Sequence, residues 1–174
     1  EYNLPNIFPG KHGGAINSSY FDFYNDQIII VSGSGVIFKC YIQDDYLVPE
    51  IINSNFHLYS NYKEFNTESQ YGVKDILVKD GKLYISFTDK NKNGYNTSVV
   101  SGDLSKSYLK MDYVLKIDEF ISDKNDEFNA HQSGGRLVNY NIDEILVSIG
   151  EYRQRSLAQN ENSLNGKLIS LNTT

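Results

Sequence analysis

The sequence has little of several features that mark other classes of protein. Its single cysteine, Cys40, excludes an internal disulfide. Its apolar runs are shorter than the roughly 18 residues that a membrane-spanning helix needs. Glu1 begins a polar stretch instead of a signal peptide, so we expect an exported form to have lost its signal already. With 16 Lys and Arg against 22 Asp and Glu, the chain lacks the basic stripe of a nucleic-acid-binding protein.

Helical periodicity and the common catalytic motifs are absent too. No stretch of useful length repeats its apolar residues every 3.6 positions. No histidine–acid cluster has the spacing of a zinc site, and no Gly-x-Ser-x-Gly sequence marks a nucleophile elbow. The sequence therefore argues against a helical bundle, a zinc enzyme and a serine hydrolase.

Strand signals fill the chain instead. Hydrophobic residues make up 40% of the sequence, with 14 Tyr and 9 Phe, which is typical of a globular domain. Asp80-Gly81 precedes an apolar run and predicts a tight hairpin. The short β-branched runs predict strands over 27–32, 35–42, 82–87, 99–100, 113–117, 145–149 and 167–171. The predicted fold class is all-β.

Three stretches repeat one pattern of strand, polar turn and apolar strand. They read "YFDFYNDQIIIVS", "VKDILVKDGKLYISF" and "GRLVNYNIDEILVSI". Such repeats are typical of a β-propeller, and a β-sandwich is the alternative. We predict about three four-stranded blades, over about residues 1–60, 61–125 and 126–174. Because a propeller needs about four to eight blades to close, we expect further C-terminal blades or a complementary chain to complete the ring.

His131 is the residue best placed for chemistry. It lies between an acidic loop, 123–127, and Gly134-Gly135. A loop imidazole beside flexible residues can reach into a cleft and accept a proton near neutral pH. The residues alone leave a second interpretation open, in which His131 is an exposed or loop-capping side chain.

The stretch "HQSGGRLV…ILVSIGE…QRSLAQNENSLNGKLISL" resembles the soluble glucose/sorbosone dehydrogenases, especially the PQQ-dependent aldose dehydrogenases. "ESQYGVKDILV" is similar to that family's Gly-Gln-Gly-Gly-Leu segment, and "FYNDQIIIVSGSGVIFKCYI" to its first blade. The resemblance covers nearly the whole chain, is most specific from 131 to 171, and is weak before about residue 60.

The resemblance implies a six-bladed propeller of which this chain forms roughly the N-terminal half. It implies oxidation of the anomeric hydroxyl of an aldose to a lactone by PQQ, with an unknown electron acceptor and a periplasmic or secreted location. His131 falls on the catalytic histidine and Gln70 on the substrate-contacting glutamine. Gln159, at the Ala-Gln position, and Arg155 would lie near the cofactor.

Some positions depart from the family pattern. Ala130 stands where some relatives have Asp, Tyr71 replaces a glycine, and Asn160 stands where Asp usually follows Ala-Gln. The cationic cofactor clamps and the calcium ligands of the family come mainly from later blades, so we expect this chain alone to be inactive. A non-catalytic propeller, acting as a binding or structural module, is the alternative function.

Overall fold

The structure is a computed structural model that describes residues 18–43, 46–68 and 70–174. The described residues form antiparallel sheets, as the all-β prediction requires. The first sheet contains β1 (Ser19–Tyr24), β2 (Gln27–Ser32), β3 (Ile37–Gln43) and β4 (Tyr46–Ile51), in that order. The second contains β5 (Val73–Lys79), β6 (Lys82–Asn91), β7 (Gly94–Asp103) and β8 (Asp112–Leu115). The third contains β9 (Gly134–Asn139), β10 (Glu144–Ile149) and β11 (Lys167–Asn172).

Helical structure is confined to short connections. Turns of 3-10 helix cover Phe56–Leu58 and Ala130–Gln132, and two five-residue helices are α1 (Lys63–Thr67) and α2 (Arg155–Gln159). No helix of the described residues is long and apolar enough to cross a membrane.

The three sheets are arranged as neighbouring blades. β5 packs against β1 on one side and against β9 on the other, so the first strand of each sheet lies beside the first strand of the next. Adjacent inner strands are what a β-propeller requires. The propeller prediction is therefore confirmed, and the sheets are called the first, second and third blades below.

Two of the three blades have the predicted four strands, and the third has three among the described residues. After β10 the chain does not turn directly into a strand; it forms turns and the helix α2 before β11 begins. Because β11 pairs with β10 on the side away from β9, it is the outermost of the three. The described residues therefore supply three of the four strands that the repeat pattern predicts for the third blade.

The hairpin between β5 and β6 forms as predicted. Asp80 and Gly81 have φ angles of 50° and 74°. Positive φ at both central residues is what a two-residue type I′ turn requires. The turn lets β5 and β6 pair closely from Val78 and Leu83 onward.

The long hairpin of β6 and β7 extends well beyond the predicted strands. The pattern predicted strand only to Phe87 and from Val99, yet pairing continues to Asn91 and Gly94. The added residues include polar side chains that are buried, such as those of Thr88, Asp89 and Thr97. Partners of Asp89 and Thr97 come from other parts of the chain, so a sequence with the polarity of a loop forms a strand.

Candidate functional site

Gln70 and His131 precede adjacent inner strands at the same end of the propeller. β5 and β9 run side by side in one direction. Near their starts, the side chain of Lys74 packs directly on Gly135. Near their ends, the ammonium of Lys79 donates to Asn139 Oδ1 at 2.8 Å. Gln70 and His131 therefore lie at one end of the blades, which we call the mouth.

The backbone around His131 is fixed on both sides. The amide N–H of His131 donates to Asn129 Oδ1 at 2.9 Å, which caps the 3-10 turn. Tyr152 holds the same turn through its backbone: its N–H donates to Gln132 O at 3.1 Å, and its carbonyl accepts from Asn129 N at 3.0 Å. The turn cannot shift without breaking these bonds.

Buried side chains also contact this turn from the interior of the protein. The hydroxyl of Thr97 donates to the carbonyl of Ser133 at 2.6 Å and lies 2.9 Å from the Tyr152 hydroxyl. Burial raises the pKa of Tyr152, so its phenol stays neutral and acts only through hydrogen bonds. Thr97 comes from the second blade, so the mouth of the third blade is tied to its neighbour.

The imidazole of His131 is exposed, and no hydrogen bond of its ring connects it to the part of the chain that the structure describes. A ring held at its backbone but free at its nitrogens is available to accept a proton from a bound ligand. The backbone of His131 is thus fixed, while its imidazole is free to act as a base.

Gly135 makes the close approach of β5 and β9 feasible. Its φ is 100°, a conformation that side chains rarely adopt. Any Cβ there would overlap the side chain of Lys74. The Gly-Gly signal in the sequence therefore reflects packing of the two inner strands next to His131.

Lys74 connects the Gln70 segment to the segment that follows His131, and the sequence analysis did not predict this role. Its ammonium donates to the backbone carbonyl of Gln70 at 2.6 Å, while its aliphatic stem packs on Gly135. Burial lowers its pKa from an ordinary 10.5 to about 8. A lysine within a largely apolar inner strand was the signal available in the sequence.

The side chain of Gln70 lies at the mouth in partial exposure. Its amide Nε2 donates to Glu68 Oε2 at 3.0 Å, an exposed contact that a ligand can replace. Because an amide both donates and accepts, it suits a ligand rich in hydroxyl groups.

Asp75 fixes the register between β5 and β9. Its Oδ2 accepts from the backbone N–H of Leu137 at 2.9 Å and lies 3.3 Å from the guanidinium of Arg136. The carboxylate is almost fully buried, whereas the Arg136 side chain is 73% exposed. The hydrogen bond to Leu137 is therefore the stronger constraint.

Arg155 and Gln159 are exposed residues of α2, which lies at the same end of the third blade as His131. The ammonium of Lys167, the first residue of β11, donates to the backbone of α2 at 2.9 Å, and Leu157 packs against the buried cluster beside His131. No side-chain hydrogen bond joins Arg155 or Gln159 to the two mouth residues in the part of the chain that the structure describes. Their assignment to a cofactor pocket stays a prediction.

The unusual residues of the mouth have packing roles. Ala130 and Tyr71 are buried in one aromatic cluster with Tyr95 and Tyr152. The rings of Tyr71 and Tyr95 lie 4.8 Å apart. Tyr71 therefore fills space beneath the Gln70 segment, where the family pattern has a glycine.

The cationic side chains of the described residues bear on the anionic cofactor that the resemblance predicts. A tricarboxylate such as PQQ requires several cationic or N–H donors. Lys74 offers one ammonium at the mouth, Arg136 is engaged by Asp75, and Arg155 lies on α2. In residues 18–43, 46–68 and 70–174, no group of three or more His, Cys, Asp or Glu side chains could hold a metal ion.

Fold and site together define a β-propeller whose mouth carries an unengaged imidazole and an amide on adjacent blades. The chain belongs to the glucose/sorbosone dehydrogenase family, whose model matches residues 47–174. No curated protein matches the sequence.

Two solved structures are similar to the chain. One, described as a glucose dehydrogenase, is 21% identical with a TM-score of 0.66, over 90% of this chain and 48% of its own. Another, described as a putative oxidoreductase (glucose dehydrogenase) from Thermus thermophilus, is 21% identical with a TM-score of 0.60, over 88% of this chain and 43% of its own. The chain thus spans less than half the length of either, and the likeness shows the shared propeller fold.

Proposed function

We propose that this chain provides the His131 and Gln70 half of a sugar dehydrogenase site that oxidises the anomeric hydroxyl of an aldose to a lactone. The observation that carries the proposal is the placement of both side chains at one mouth, on segments that precede the adjacent strands β5 and β9. Membership of the glucose/sorbosone dehydrogenase family supports the substrate class.

His131 acts as the proton acceptor in this proposal. Oxidation at the anomeric carbon removes a proton from the hydroxyl and a hydride from the carbon, and the two departures must be coupled. The exposed imidazole takes the proton, while Asn129 and Tyr152 hold its turn in place. Gln70 orients the sugar through its amide, and Lys74 positions Gln70 through its backbone carbonyl.

We propose PQQ as the cofactor, with calcium as its metal, in the complete protein. When bound, the quinone supplies the two-electron oxidant that no side chain can provide. Lys74 is suited to contact one of its carboxylates, and Arg155 and Gln159 of α2 are the further cofactor contacts that we propose. The remaining cationic donors and the calcium ligands would come from further blades. The location proposed is periplasmic or extracellular.

The two outer faces of the three blades support the proposal of further blades. Tyr20 and Tyr24 of β1 pack toward the second blade, so the alternate residues Phe21 and Phe23 face away, at 65% and 62% exposure. Leu168 of β11 is 66% exposed on the far face of the third blade. Apolar faces at both ends are suited to packing against further blades of the same fold.

The test is dye-linked oxidation of an aldose by the complete protein with PQQ and calcium. We expect His131→Ala to lower the rate at least about 100-fold, since general-base catalysis contributes about that much or more. His57→Ala is the matched control, because His57 is an exposed histidine in a similar 3-10 turn of the first connection. We expect it to keep the wild-type rate.

Failure of the wild-type protein to exceed His131→Ala would contradict catalysis. The alternative function, a non-catalytic binding or structural propeller, is favoured by Ala130, which stands where some relatives have Asp, and by the small number of free cations at the mouth among the described residues. That outcome would leave the alternative as the better description.

A further inference from the structure

A second cleft opens beside the second blade, away from the inner strands. It has a volume of about 410 Å³ and lies between the connection that follows the first blade and the strands β6 and β8. Four aromatic rings line it, those of Tyr59, Tyr62, Tyr113 and Phe120. Neither His131 nor Gln70 is part of it.

A largely buried carboxylate, with no ion pair to the residues that the structure describes, lines this cleft. Asp89 is 5% exposed. Its Oδ2 accepts hydrogen bonds from Ser98 Oγ at 3.0 Å and from the Tyr113 hydroxyl at 2.9 Å. Its other oxygen, Oδ1, has no side-chain hydrogen-bond partner among the described residues. A carboxylate oxygen with so little access to water favours a ligand that donates a hydrogen bond.

Cations also border the cleft, and one of them is already neutralised. Lys90 pairs with Glu64 at 3.0 Å and lies over the ring of Tyr62, 5.2 Å from its centre. Lys116 lies over the ring of Tyr113 at 5.1 Å, with no ion pair to the described part of the chain. One free acid and one free base leave the cleft close to neutral, which disfavours a strongly charged ligand.

We propose that this cleft binds an uncharged saccharide, at a subsite separate from the mouth. A sugar ring has apolar C–H faces that pack on aromatic rings and a rim of hydroxyl groups that both donate and accept hydrogen bonds. Tyr113, at 37% exposure, offers a ring, Asp89 accepts from a hydroxyl, and Lys116 donates to one.

The position of the cleft suits a saccharide that reaches the mouth as part of a longer chain. β6 pairs with the start of β5 at Phe87 and then continues to Asn91, so the cleft opens at the same end as the mouth. Tyr113 belongs to β8, the outermost strand of the blade, so the subsite lies outward from the inner strands. The choice of saccharides as probes rests on the function proposed above.

The experiment measures binding without cofactor or electron acceptor, so oxidation plays no part in it. D-Glucose and maltose are titrated into the complete protein by calorimetry and by saturation-transfer NMR. The protein carries Gln70→Ala and His131→Ala, which removes the mouth residues. We expect one saccharide site to persist in this background.

Asp89→Asn is the decisive variant, with Asp112→Asn as its matched control. Both remove one negative charge, but the side chain of Asp112 is 67% exposed on β8, outside the cleft. We expect Asp89→Asn to weaken binding about tenfold and Asp112→Asn to leave it within about twofold, since only the first replaces a charged acceptor of the ligand by a neutral amide. If Asp89→Asn does not fold, the exposed Lys116→Ala replaces it, with an expected weakening of about threefold.

Three results would overturn the subsite. They are loss of all saccharide binding in the mouth background, unchanged affinity in Asp89→Asn or in the Lys116→Ala that replaces it, and binding of glucose 6-phosphate without binding of glucose. The last would indicate an anion site at the lysines. An inactive wild-type protein that still binds maltose would reject the proposed oxidation and keep the subsite.

Discussion

The boundary between the first and second blades differs in chemistry from the boundary between the second and third. The first boundary is filled mainly by one large apolar cluster that includes Phe56, Phe65 and Phe87, and the part-buried carboxylate of Asp22 accepts from Val78 N across it at 2.6 Å. The second also has apolar contacts, but buried side chains of Asp75, Ser86 and Thr97 cross it to bond the backbone of residues 133–137.

The two kinds of contact contribute differently: apolar burial stabilises the packing of the blades, and hydrogen bonds position particular groups. Apolar burial is strong but has no direction, so it holds two blades together without fixing one atom against another. Hydrogen bonds are directional, and buried ones are costly to break. Buried side chains that bond the backbone are more numerous at the boundary beside His131, where a candidate base must be held in place.

The largest effect is expected at the apolar boundary. Phe87 is fully buried, with ring centres 5.4 Å from Phe56 and 6.5 Å from Phe65. We expect Phe87→Ala to lower the free energy of unfolding by about 3–5 kcal/mol, because it leaves a cavity in the cluster. Urea denaturation measures this. Leu58→Ala, at a 66% exposed position, is the control and should change stability by less than about 0.5 kcal/mol.

The next effect tests the polar boundary at Asp75. We expect Asp75→Ala to cost about 2–3 kcal/mol, because the buried N–H of Leu137 loses its acceptor. Arg136→Ala removes the exposed partner of the same carboxylate and should cost less than about 1 kcal/mol. Equal losses in the two variants, measured by urea denaturation, would show that the ion pair and not the backbone bond carries the boundary.

A smaller effect is expected at Thr97, with a consequence for the mouth. Thr97→Val keeps the shape but removes the hydroxyl that reaches Ser133 O and Tyr152. We expect a loss of about 1–2 kcal/mol in unfolding free energy and a fall in kcat for aldose oxidation. Thr67→Val on the exposed surface of α1 is the control. A normal kcat in Thr97→Val would mean that the turn of His131 is held sufficiently by Tyr152.

The smallest expected effect is a dependence of folding stability on pH, which arises from Lys74. Between pH 8 and 10.5 the unfolded lysine binds a proton that the folded one has lost, so stability rises with pH across this window. We expect a rise of about 1 kcal/mol, less than the full change in pKa would allow, because the side chain is partly exposed. Lys74→Met should abolish it, and Lys63→Met on the surface of α1 should not. Thermal unfolding at a series of pH values compares the three proteins.

Much of the fold was predictable because local signals and burial agree. The Asp80-Gly81 turn, the apolar run of β2 and the run of β10 each satisfy strand propensity and core packing at once. The ends of β6 and β7 were not predictable in the same way. Asp89 and Thr97 have the polarity of a loop, and their buried partners include residues distant in the sequence.

Some residues of the candidate site could likewise be predicted from the sequence, and others could not. His131 and Gln70 could be proposed from the sequence, because their segments resemble a family with known roles at those positions. Lys74, Thr97 and Tyr152 could not, because each makes a contact between the second and third blades: Lys74 packs on Gly135, and the Thr97 hydroxyl meets Ser133 O and the Tyr152 hydroxyl. Arg155 and Gln159 were also proposed from the resemblance, and their role at a cofactor stays a prediction.

By itself, the sequence determined the all-β class and the repeating blade, because these depend on local periodicity and on residue type, while Gln70 and His131 were predicted as site residues from the resemblance to a family. The tertiary structure decided which segments meet. It gave the third blade three strands among the described residues, put α2 over β11, and placed Lys74 between Gln70 and Gly135. The physical reason is that packing of blades brings together groups whose sequence separation carries no signal of their contact.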